Sequence, residues 1–234
     1  GKFDQGKRGI PYASIAQAFQ SLVRRLLATS DAELAVWRAA LEDALGPNGR
    51  LMIDLVPELK LIIGEQPPVP ELPPLEAQRH FQLVLQRFMR VFARPEHPLA
   101  LFVDDLQWLD TATIDFIEDL LTRSDVRHVL VIGAFRNNEV GPDHPLARQL
   151  EAIRDAGAVV HEIALAPLVR QDVAQLIADA LHSEPEGVAT LAQLVCDKTA
   201  GNPFFTTQFL TALGDEGLLT FDHAAQGTTF SSQG

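Results

Sequence analysis

Apolar positions recur at helical spacing through the first part of the chain. Ile15, Phe19, Leu22, Val23, Leu26 and Leu27 predict a helix over residues 12–28, after Pro11-Tyr12. A second helix follows Ser30-Asp31, with Leu34, Trp37, Leu41 and Leu45 turned inward and Gly46-Pro47 as its stop. Residues 51–63 are apolar but interrupted by Pro57, and their pattern leaves a folded insertion and a partner-binding arm both open for residues 47–74. Five prolines among residues 66–74 make a semi-rigid connector, because proline stiffens the chain without donating to a ladder. A third helix over 75–92 presents Phe81, Val84, Leu85, Phe88, Val91 and Phe92.

The period then changes. Leu99-Ala-Leu-Phe-Val103 is an apolar run with no polar alternation, which suits a parallel strand buried on both faces. A helix from Thr111 follows, with Asp110 as its cap and Ile114, Ile117, Leu120 and Leu121 inward. A strand over 128–135, a helix near 145–155 and a strand over 158–164 continue the alternation. It predicts an α/β fold, a parallel sheet with flanking helices on both faces. From Arg170 the pattern is purely helical, over 170–182, 187–199 and 203–213, and reads as a helical lid subdomain. Asn202-Pro203 opens the last of these helices, with Asn as cap and Pro at the first position. Core packing is the default for Phe204 and Phe205. The expected domains are a core over 1–168, a lid over 169–223 and a disordered tail over 224–234.

Acids outnumber bases 31 to 19, a net charge of −12, which argues against a nucleic-acid surface built on Lys and Arg. The single cysteine, Cys196, excludes an intramolecular disulfide, fits a cytoplasmic location and sits in an apolar run as a small core residue. No apolar stretch approaches the ~20 residues that span a bilayer.

The chemistry concentrates after residue 103. Asp104 and Asp105 end the first strand, where ligands bind in open α/β sheets. That is the form of a Walker B segment: Asp104 would coordinate Mg²⁺ and Asp105 would orient the attacking water. The bland alternative is a strand ending in a polar turn. Arg136 ends the second strand, where a planar cation can neutralise a phosphate; the alternative is a surface pair with Glu139. The phosphate loop Gly-x-x-x-x-Gly-Lys-Ser/Thr occurs nowhere in the 234 residues. The chain thus reads as an ATPase module that starts after its phosphate loop. The seven histidines lack H-x-x-x-H spacing, against histidine-ligated metal, and no G-x-S-x-G element suggests a serine hydrolase.

Three segments together carry a resemblance: Leu-Ala-Leu-Phe-Val-Asp-Asp-Leu-Gln-Trp-Leu-Asp at 99–110, Val-Ile-Gly-Ala-Phe-Arg-Asn-Asn-Glu-Val at 131–140 and Gly-Asn-Pro-Phe-Phe at 201–205. They resemble the AAA-type, STAND-class P-loop ATPase module of bacterial multi-domain signalling kinases. Those proteins carry a serine/threonine-kinase-like domain before this module and sensor plus histidine-kinase domains after it. Gly1-Lys-Phe-Asp-Gln5 and Ile10-Pro-Tyr-Ala-Ser-Ile-Ala-Gln-Ala-Phe19 are similar to the segment that follows the phosphate loop there. The resemblance implies ATP and Mg²⁺ as cofactors, Asp104 as the metal acid, Asp105 as its catalytic neighbour and Arg136 as the sensor arginine. It also implies Pro203, with Asn202, as the nucleotide contact of the lid. The departure is the missing first strand and phosphate loop, which would leave strands 128–135 and 158–164 without the neighbour between them.

These observations predict a nucleotide switch within a signal-transduction kinase, weak or inactive in binding ATP by itself. Its expected partners are nucleotide, the other domains of the parent chain and a second copy through self-association, but neither nucleic acid nor membrane. A non-catalytic protein-interaction scaffold and a DNA-associated AAA regulator are the alternatives.

Overall fold

A computed structural model of the chain describes residues 11–222 and 227–230. The chain divides into two compact units, one ending at Val160 and one starting at His161.

The first unit is mostly helical. Helices α1 (Ala13–Leu26), α2 (Asp31–Leu45) and α5 (Pro74–Phe92) form on the predicted apolar stripes. Ile15, Phe19, Val23, Leu41, Leu45, Leu85 and Phe88 are buried together, and Phe19 packs against Phe88 at a centroid distance of 4.9 Å. Ser30 and Glu33 cap α2 reciprocally, as a Ser-x-x-Glu start predicts. Residues 49–63 are folded rather than an arm: α3 (Gly49–Leu55) and α4 (Lys60–Ile63) flank a short 3₁₀ turn at Pro57–Leu59. Val56 leaves the helical region (φ −130°, ψ 85°), as the residue before a proline is biased to do, which breaks the helix without withdrawing the segment from the core. Val56, Leu59 and Ile62 are buried. Pro-rich residues 64–73 carry no regular structure and lead to Pro74 at the first position of α5.

Strands β1 (Leu99–Val103) and β2 (Val129–Gly133) pair in parallel, from Leu99↔Val129 to Val103↔Gly133. Two helices follow them, α6 (Thr111–Thr122) and α7 (Pro145–Asp155). Leu101 and Val103 are buried in the helical core, with Val131 on the same face. The opposite face is not covered, contrary to the expected double covering: Phe102, Leu130 and Ile132 are 49%, 59% and 44% exposed. The expected third strand over 158–164 is also absent among the described residues. A strand needs a neighbour to receive its N–H and C=O groups, and among the described residues the sheet holding β1 and β2 has two strands. Val159, Ile163 and Leu165 are accordingly exposed.

The second unit is built on α8 (Arg170–Leu181), α9 (Ala189–Thr199) and α10 (Pro203–Asp215). Val173, Ile177, Ala192, Val195 and Leu213 form its core, with Cys196 partly buried beside them. Its border lies ahead of residue 168 because Leu168 donates its N–H to the Gly201 carbonyl at 2.8 Å. Strands β3 (Leu219–Asp222) and β4 (Gly227–Phe230) pair antiparallel, and residues 227–230 of the expected tail lie in β4. Residues 223–226 and 231–234 of that expectation lie outside the described residues, as do residues 1–10 of the motif-bearing N-terminal segment.

Candidate functional site

The site lies at the carboxyl ends of β1 and β2. A parallel pair delivers both strand ends to one edge, so Asp104 and Asp105 after β1 meet the loop after β2. Two backbone bonds lock that edge: Ala134 N–H donates to the Val103 carbonyl at 3.0 Å, and Leu106 N–H to the Ala134 carbonyl at 2.9 Å. Gly133 lets the Leu106 side chain approach closely here, since a Cβ would overlap it unless that side chain shifted. Asp105 adopts φ 52°, a left-handed conformation that its short polar side chain tolerates. Its N–H donates to Asp104 Oδ1 at 2.9 Å.

Arg136 lies three residues beyond β2, which ends at Gly133 rather than at 135. A β-turn closed by Glu139 N–H to the Arg136 carbonyl, 2.9 Å, folds its tip back. The structure thus brings Asp105 and Arg136 together, with Arg136 Nε 3.7 Å from Asp105 Oδ1. It also forms the surface pair weighed above, with Arg136 Nη1 donating to Glu139 Oε1 at 3.2 Å. Gln107, which the sequence did not single out, joins the cluster. Its Nε2 donates to Asp105 Oδ1 at 3.2 Å and to Glu139 Oε2 at 3.3 Å. A glutamine two residues beyond a strand-end acid carries no signal of its own; only the turn brings it under both carboxylates.

Asp110 caps α6 as predicted, its Oδ1 accepting from Thr113 N–H at 2.9 Å. Its Oδ2 accepts from the Thr113 hydroxyl at 2.6 Å, and that hydroxyl accepts from Tyr12 N–H at 3.0 Å. Thr113 is fully buried, so this relay ties the entry of α1 to the loop that carries the acids. Burial holds the Tyr12 phenol above its ordinary pKa.

Asn202 and Pro203 belong to the second unit. Asn202 Oδ1 accepts from Phe204 N–H at 3.0 Å and Phe205 N–H at 3.3 Å, and Pro203 occupies the first position of α10. Phe204 and Phe205 are not core residues, being 66% and 58% exposed. Asn202 spends their N–H groups at the cap, and the rings pack edge to face on each other at 5.5 Å. Gly201 (φ +71°) precedes the cap, and a Cβ there would overlap the Leu168 carbonyl oxygen.

The family model described as "AAA ATPase domain" matches residues 1–132. The chain belongs to that family. A relative, "Hybrid signal transduction histidine kinase G" of Dictyostelium discoideum, is 28% identical over 284 residues, covering 94% of this chain. The chain spans 8% of that relative's length. No solved structure matches.

Membership in the AAA ATPase domain family implies nucleotide binding in general terms, and the donors can be tested against it. Asp104 Oδ1 accepts from a neighbouring N–H, which leaves Oδ2 for a cation that takes one or two carboxylates and several waters, the habit of Mg²⁺. The phosphates find less. No Gly-rich loop with its Lys and Ser/Thr exists in the sequence, and the cation that the described residues pair with Asp105 is Arg136. Among the described residues no group of three or more His, Cys, Asp or Glu is arranged to hold a metal by itself. No helix of the described residues is long and apolar enough to cross a membrane.

Proposed function

We propose that this chain is part of a nucleotide-switch module of a signal-transduction kinase, and that it binds ATP weakly by itself. The observation that carries this reading is the meeting of Asp104, Asp105 and Arg136 at the carboxyl edge of a parallel strand pair. In it, Asp104 holds Mg²⁺, Asp105 orients a water and Arg136 contacts a phosphate; Asn202 and Pro203 are the nucleotide contacts of the helical lid. Bound Mg²⁺ would neutralise phosphate charge. The AAA ATPase domain match and the much longer histidine-kinase relative support the signalling context. The phosphate loop is supplied by no part of the 234 residues, hence the weak binding.

Calorimetry with MgATP tests the reading. Binding weaker than about 10 µM is expected, since without the loop most phosphate contacts are missing. Joining a phosphate-loop segment to the chain should then restore binding and turnover, and Asp105→Asn should abolish the turnover. Tight binding by the chain alone, or no binding in either form, would sink the proposal. The second outcome would favour an interaction scaffold, which the exposed face of Phe102, Leu130 and Ile132 also suits.

A further inference from the structure

Four side chains at the strand edge form a closed ring. Arg136 reaches Asp105 Oδ1 through Nε at 3.7 Å and Glu139 Oε1 through Nη1 at 3.2 Å. The Gln107 amide nitrogen closes the other side, to Asp105 Oδ1 at 3.2 Å and Glu139 Oε2 at 3.3 Å. Both carboxylates therefore face one guanidinium, and one neutral amide holds them beside it. Among the described residues no group donates to the buried Gln107 Oε1, so the bonds found for this side chain are its two donor bonds. The Arg136 side chain is 65% exposed.

An arginine in this state meets an incoming anion with two carboxylates already beside it. A phosphate reaching Arg136 competes with Glu139 for the Nη1 donor and meets the Glu139 and Asp105 charges beside the guanidinium. We infer that Glu139, held in place by Gln107, is an internal competitor that lowers the affinity of Arg136 for polyphosphate. This rests on the reading of Arg136 as a phosphate contact and adds to it the residue that sets the strength of that contact. Glu139 is a positioning residue here, acting through Arg136. Its location on the turn at residues 136–139 lets it swing away without disturbing β2.

Inorganic triphosphate, titrated into the whole chain at low ionic strength where exposed charges are least screened, is the probe. Removing an exposed competing pair is expected to tighten binding about two- to fivefold in both Glu139→Gln and Glu139→Ala. Gln107→Leu, which releases Glu139 from its tether, should shift binding in the same direction by less. Adding Arg136→Gln to Glu139→Gln should erase the gain, which separates competition at Arg136 from a general change in net charge. The Arg136 Nε–Hε resonance of the ligand-free protein should move in Glu139→Gln. A gain that persists without Arg136, or no gain in either Glu139 variant while the resonance moves, overturns the inference alone. Triphosphate binding that is indifferent to Arg136→Gln overturns the phosphate-contact reading and this inference with it.

Discussion

The edge of the parallel strands and the start of α10 use the same local device with opposite results. Each has a cap residue, Asp110 or Asn202, and each has a glycine that admits a close neighbour, Gly133 or Gly201. At the strand edge the cap is part of a buried relay through Thr113 to Tyr12, so a surface acid is fixed from within. At α10 the cap serves its own helix, and the two aromatics after it stay in solvent. A cap therefore marks a helix start reliably but says little about the burial of the residues behind it.

Breaking each device separately measures that difference. The largest effect should come from Gly201→Ala. A positive φ and a backbone carbonyl in the way cannot both be relieved, so a loss of about 3 kcal/mol or more is expected by chemical denaturation. Gly133→Ala meets a Leu106 side chain that can move and should cost about 1–2 kcal/mol. Thr113→Val strands the Tyr12 N–H and removes a donor from Asp110, for a loss of about 1–3 kcal/mol. Thr113→Ser keeps the hydroxyl, and its recovery of most of that loss would show that the relay, not the methyl group, carries the stability. At the exposed cap, Asn202→Ala should cost about 1 kcal/mol. Smallest of all, Phe204→Ser should stay within about 0.5 kcal/mol in thermal denaturation, and a larger loss would mean that the ring is packed.

The stripes of α1, α2 and α5 were legible because a helix satisfies its own backbone and needs only one apolar face. β1 was legible for the length and continuity of its run, and Asp110 and Asn202 for their position ahead of a helical period. The segment at 158–164 shows the limit. Its residues suit a strand, yet a strand is completed by a partner that its own residues do not encode, and these carry no regular structure, with Val159 and Ile163 exposed. Gln107 and Glu139 were not legible as a unit for a related reason. They stand far apart in sequence, and only pairing of β1 with β2 in the register Val103↔Gly133 brings their loops together.

The sequence by itself determined the helices, the acidic strand end, the two caps and the absence of a phosphate loop, since each depends on neighbours within a few residues. Tertiary structure alone decided which face of the sheet is covered, where Phe204 and Phe205 lie and which groups hold Arg136. Those depend on what packs across from a residue, and a one-dimensional pattern records that a side chain is apolar or charged without recording what it meets.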